Sequence, residues 1–153
     1  MNNYGEVIKM SEIAIVYWSG TGNTEMMAKA IKEGIESSGG VALLKSVENA
    51  GLDDIKDAKA IVLGSPAMGA EELSEEMESF VSKMEKEGIK DKVAGAFGSY
   101  GWGDGQWMRD FVDRLRNDGF GVVGDGLMIN STPDEEGLER CREYGRMILK
   151  EIK

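Results

Sequence analysis

Residues 13–18 read Ile-Ala-Ile-Val-Tyr-Trp, and residues 19–24 that follow read Ser-Gly-Thr-Gly-Asn-Thr. The first stretch is an unbroken apolar run rich in β-branched and aromatic residues, the pattern of a strand buried on both faces. The second is turn-forming. Beyond it, Met27, Ala30, Ile31, Gly34 and Ile35 recur at helical spacing, which predicts a helix over 25–38 closed by Gly39 and Gly40. A strand with no polar face, a tight loop and a helix form the opening of a βαβ unit. Such strands occur in parallel sheets whose two faces are both covered by helices.

The alternation continues to the end of the chain. Strands are predicted at 41–47, 60–64 and 93–97, with an interrupted one running from Val122 and Val123 to Ile129. Helices are predicted at 73–86, 106–118 and 135–152; the first of these places Met77, Phe80, Val81 and Met84 on one stripe. The expected fold is α/β: a doubly wound parallel sheet with helices on both faces and right-handed crossovers. Ligands of such sheets sit beyond the carboxyl ends of the strands. Residues 1–9 carry no signal-peptide pattern and are expected to form a frayed, flexible extension ahead of a domain spanning 10–153.

Composition narrows the chemistry. The 153 residues suit one domain, and they contain no histidine. That removes imidazole-based triads, His-ligated metals and histidine pH switches. The lone Cys141 excludes a disulfide framework and a thiolate metal cage, which points to a reducing cytoplasm. With 18 basic against 28 acidic residues the net charge is -10. That sign opposes binding to nucleic acid or an anionic membrane and favours partners with basic surfaces.

Three loops at the expected carboxyl end could carry chemistry. In loop one, Ser19-Gly20-Thr21-Gly22-Asn23-Thr24, glycines permit close backbone approach while hydroxyl and amide side chains join the helix N–H groups as donors. It lacks a P-loop lysine and the spacing of a dinucleotide fingerprint, so a terminal monophosphate held by neutral donors fits it. Loop two, Ser65-Pro66-Ala67-Met68-Gly69-Ala70-Glu71, offers a large polarizable thioether beside a glycine. Loop three, predicted over Gly98-Ser99-Tyr100-Gly101-Trp102-Gly103-Asp104-Gly105, sets two aromatics among four glycines. That implies an aromatic ligand, unless Trp102 folds back as a plug over the sheet edge. Together the loops describe a planar heterocycle with a phosphate tail, as in FMN. The acidic run Glu71, Glu72, Glu75, Glu76 and Glu78 either solvates a helix face or steers a partner.

Through SGTGNT at 19–24, Met68-Gly69 with Glu71, and GSYGWGDG at 98–105, the chain resembles the flavodoxin family, especially the short-chain clostridial type. The resemblance implies a five-stranded sheet of order 2-1-3-4-5, noncovalent FMN and low-potential, one-electron transfer between larger redox proteins by a monomer, without substrate turnover or metal. It implies that Ser19, Thr21, Gly22, Asn23 and Thr24 hold the phosphate and that Met68 and Trp102 flank the ring. Gly69 would offer its carbonyl to the reduced ring's N5–H, and Glu71 would accept N3–H. Gly20, Ser65, Pro66, Ala67, Ala70, Ser99, Tyr100, Gly101, Gly103 and Asp104 complete the expected binding loops. Relatives often carry Ser or Cys where Pro66 stands and Asp where Ala70 stands. The expected turn has two central residues, with positive φ on Gly69 in one form and on Ala70 in the other. The rival expectation is an FMN-dependent NAD(P)H:acceptor oxidoreductase on the same scaffold, for which the length leaves little room.

Overall fold

The computed structural model describes residues 12–153, so the extension expected over residues 1–9 lies outside them. The elements run β1 (Ile13–Tyr17), α1 (Asn23–Ser37), β2 (Ala42–Ser46), α2 (Leu52–Lys56), β3 (Ala60–Gly64), α3 (Glu75–Lys86), β4 (Val93–Tyr100), α4 (Gln106–Asn117), β5 (Gly121–Val122), β6 (Leu127–Asn130) and α5 (Glu135–Glu151). All strand pairings are parallel, in the order β2-β1-β3-β4 with β5 and β6 both on the outer side of β4. β5 and β6 are the two halves of the interrupted fifth strand, giving the order 2-1-3-4-5.

The double burial of β1 has a visible cause. Ile13 and Ile15 point into a core built with α1 and α5, while Ala14 and Val16 point into the opposite core with α3 and α4. On β3, Ala60 and Val62 face the first core and Ile61 and Leu63 the second, and all four are fully buried. Apolar residues at every position are what a sheet covered on both sides requires. Tyr144 of α5 closes the first core with its hydroxyl donating to Val123 O at 2.8 Å and accepting from Ala96 N at 3.3 Å. Burial pushes its phenol up to about 12.

Three elements differ from the sequence expectation. α2 is not expected from the sequence: Asp54 accepts the Gly51 N–H at 2.8 Å, Ile55 is fully buried, and Leu52 packs half-buried against the same core. Two apolar residues in a five-residue helix leave too short a stripe to recognise. β4 extends to Tyr100 instead of stopping at Phe97, because Phe97 to Tyr100 pair with Leu127 to Asn130 of β6. Gly98 resembles a loop residue locally, yet it serves packing: a Cβ there would lie 2.0 Å from Ser65 O. Loop three is therefore the shorter segment 101–105. Finally, α3 starts at Glu75, with Ser74 Oγ accepting Met77 N at 3.1 Å, two residues later than expected.

Candidate functional site

Loop one wraps the start of α1. Ser19 Oγ accepts the N–H groups of Gly22 at 3.0 Å and Glu25 at 3.3 Å, folding the loop back on itself. Gly22 sits at the helix N-cap with φ 99°, a left-handed conformation glycine takes without strain. The N–H groups of Asn23 and Thr24, the first two of the helix, have no acceptor among the described residues. They form an uncharged anion cradle, reinforced by the helix dipole. Thr24 is buried behind it, with its Oγ1 3.1 Å from Ser99 Oγ and accepting Ser99 N at 3.4 Å, so the cradle is pinned to β4. Nearby, burial and the Glu25 carboxylate hold the Tyr17 phenol above its ordinary range, and its O–H donates to Glu25 Oε2 at 3.2 Å.

Between loops one, two and three lies a cavity of about 310 Å³. The expected residues on its walls are Gly20, Thr21, Asn23, Pro66, Ala67, Met68, Ser99, Tyr100 and Gly101, and none is charged. At its edge Met68 is 38% exposed, and on loop three Trp102 is 67% exposed. The indole is therefore no plug over the sheet edge. That part is taken by Trp107, 1% exposed, whose Nε1 donates to Ser65 O at 3.0 Å and whose ring stands 5.7 Å from that of Tyr100. A large apolar side chain left in water at the edge of an uncharged cavity, Met68, and an exposed indole, Trp102, next in the chain to the cavity's Gly101, mark a place for a flat partner.

Several expected residues are engaged elsewhere. Ser65 is fully buried; its Oγ accepts Ser74 N at 2.9 Å and donates to Pro66 O at 3.0 Å, tying loop two to the start of α3. Asp104 pairs with Arg109 at 3.1 Å on the surface. Gly103, with φ 92°, faces the Glu71 carboxylate. The turn at Met68 also differs from expectation. Met68 N donates to Glu72 O and Glu72 N to Met68 O, both at 2.8 Å, so three residues form its tip rather than two. Positive φ falls on Gly69 (49°) and Glu71 (56°), and Ala70 is spared. The wider tip removes the choice between Gly69 and Ala70 that a two-residue turn would impose.

Two cavity residues escaped the sequence. Trp18 ends the apolar run of β1 in the sequence, but it follows the strand, and its ring lies over loop one, where a Cβ on Gly20 would come within 2.9 Å of it. Ser131, with φ 61°, follows β6 and donates its N–H to Tyr100 O at 2.8 Å. Its only local signal was a polar Asn-Ser-Thr after an apolar run; the pairing of β6 with β4 brings it to the cavity.

A parallel sheet of this order, with a neutral anion cradle and an apolar slot at its carboxyl end, defines a class of mononucleotide-binding α/β proteins. The flavodoxin family model matches residues 15–145. The chain is 44% identical over 135 residues to a flavodoxin of Clostridium beijerinckii, covering 88% of this chain and 96% of that one. It is 39% identical to a flavodoxin of Megasphaera elsdenii, covering 90% and 98% respectively. The solved structure of an archaeal flavodoxin superposes with a TM-score of 0.85 at 31% identity, covering 92% of this chain and 97% of that one. The chain belongs to the flavodoxin family, whose members are small electron carriers that bind FMN. The residues present fit that cofactor: free helix N–H groups suit the phosphate, and the exposed thioether and indole suit the ring. When bound, FMN supplies one-electron redox chemistry.

Proposed function

We propose that the cavity between loops one, two and three is the FMN site of a low-potential carrier that passes single electrons between larger redox proteins. Ser19, Gly20, Thr21, Gly22, Asn23 and Thr24 hold the phosphate through backbone N–H groups and hydroxyls. Met68 and Trp102 shield the ring from water, with Pro66, Ala67, Gly69, Ala70, Tyr100 and Gly101 shaping its edge. Ser99 acts from the cavity wall, and Trp18 and Ser131 join the site. Glu71, whose Oε1 accepts the Gly105 and Gln106 N–H groups at 3.2 and 3.0 Å, offers its other carboxylate oxygen to the ring's N3–H; Gly103 and Asp104 support the site from outside, and Ser65 anchors loop two. The single observation that carries this reading is the neutral cradle at the start of α1 opening into the slot edged by the exposed Met68.

With a net charge of -10, the carrier is steered toward partners with basic docking surfaces. It acts in the cytoplasm as a monomer, with residues 10–153 as the folding unit, and turns over no substrate of its own. No helix among the described residues is long and apolar enough to cross a membrane. The test is titration of FMN-stripped protein with FMN and with riboflavin, followed by flavin fluorescence. FMN binds more tightly because only it reaches the cradle, and Trp102→Ala weakens both ligands. Equal affinity for FMN and riboflavin would remove the phosphate assignment.

A further inference from the structure

We infer that Tyr17 is a positioning residue which, with Lys29, holds the Glu25 carboxylate off the anion cradle of α1, so that the chain does not cap its own phosphate site; this deepens the FMN reading above and rests on it. Glu25 stands in the first turn of α1, three residues after the N-cap Gly22. A glutamate at that position ordinarily reaches back over the helix start and accepts the N-cap N–H, one half of a capping box. Its charge is also favoured there by the positive end of the helix dipole. Local chemistry therefore draws this carboxylate toward the N–H groups that a phosphate needs.

Three contacts oppose that pull. Ser19 Oγ accepts the Gly22 N–H at 3.0 Å, which takes up the donor the glutamate would otherwise cap. Tyr17, the last residue of β1, donates its O–H to Glu25 Oε2 at 3.2 Å. Lys29, one turn further along α1, stands 3.4 Å from the same oxygen. The N–H groups of Asn23 and Thr24 are left without an acceptor among the described residues. They are open to a phosphate only while Glu25 is turned away from them.

Of the two groups that hold the carboxylate, the phenol is the more directional. The Lys29 ammonium is largely exposed and sits on a flexible stem, so this ion pair contributes little. Tyr17 is half-buried, and its ring packs against the core shared with α1 and α5, which fixes where the hydroxyl points. Burial first, and the Glu25 carboxylate second, hold the phenol above its ordinary range, so it remains a donor at neutral pH. Without that hydroxyl the carboxylate is free to swing onto the helix start, where it competes with a phosphate for the same donors and repels it.

Fluorescence titration of FMN-stripped wild type, Tyr17→Phe and the double variant Tyr17→Phe/Glu25→Gln, each with FMN and with riboflavin, tests this. In Tyr17→Phe the affinity for FMN should fall about fivefold, the worth of one net hydrogen bond. Riboflavin, which has no phosphate, should bind that variant as it binds wild type, which also shows that the fold and the ring slot are intact. Adding Glu25→Gln should return FMN affinity to the wild-type value or above, because the amide carries no charge to oppose the phosphate. With a wild type that prefers FMN, any of three results overturns the inference and leaves the cofactor site standing: unchanged FMN affinity in Tyr17→Phe, an equal loss for both ligands, or no recovery in the double variant. A wild type that binds FMN and riboflavin equally overturns the phosphate assignment, and the inference with it.

Discussion

Asp118 ends α4 with one carboxylate oxygen, Oδ2, buried and without a hydrogen-bond partner. Burial first, and the adjoining Glu85 carboxylate second, push its carboxyl up to about 6. Arg114 satisfies the rest of the cluster: it donates to Glu85 at 2.8 Å and to Glu78 at 2.7 Å and holds both below the ordinary carboxylate range. An acid whose folded pKa is raised is more strongly protonated in the folded chain than in the unfolded one. Its contribution to stability is therefore greatest below about 4, declines as pH rises through 6, and is a full penalty at 7. Asp118→Asn should stabilise the protein by about 1 kcal/mol at pH 7, once solvent screening is allowed for. The gain should vanish near pH 4, where Asp118 is already protonated. Urea midpoints at the two pH values read this directly; an equal gain at both would show that charge is not the cause.

At the scale of elements, α1 and α5 meet backbone to backbone. A Cβ on Gly34 would lie 1.9 Å from Arg142 O, and one on Gly145 would lie 2.3 Å from Ile31 O. Alanine is the better helix former by up to about 1 kcal/mol, yet here the contact decides the sign. Gly34→Ala must push the helices apart and loosen the packing of Ile31, Ile35, Cys141 and Ile148 between them. The expected loss is about 2–3 kcal/mol, measured by thermal or urea unfolding. A variant as stable as wild type would mean that the two helices are not seated this closely. Cys141 in the same seam is fully buried, and burial pushes its thiol up to about 12. It packs as a small apolar residue beside Tyr144 and Ile148.

For the whole molecule, charge is the dominant fact. Adding an electron and hence negative charge to a bound ligand is opposed by the chain's own net charge of -10, to which Glu72, Glu75 and Glu78, on the chain after loop two, contribute. One carboxylate at ~10 Å and an effective dielectric of ~20 disfavours such a charge by roughly 1.7 kcal/mol, or on the order of 70 mV for one electron. These glutamates are largely exposed, so screening cuts each contribution well below that limit. The second reduction potential of the FMN-loaded protein should accordingly become less negative as ionic strength rises, in a potentiometric titration. A potential indifferent to salt would assign the low value to local contacts at the ring instead.

The doubly covered sheet was legible because burial on both faces forces continuous apolar runs at 13–18 and 60–64, and helices announce themselves by a 3.6-residue stripe. The loops carrying the cradle and the two exposed apolar side chains were legible because their residue types are local chemistry: glycines, hydroxyls, a thioether and an indole. Contacts between loops distant in the chain had no such trace. Residue type does not encode that Ser65 turns toward α3, that Gly98 to Tyr100 extend β4, or that Trp18 and Ser131 reach one cavity. The same holds for Glu71, which reads locally as one more acid in an acidic run. Each depends on which strand ends and helix termini packing brings within hydrogen-bond distance, and that is a property of the assembled sheet rather than of any segment.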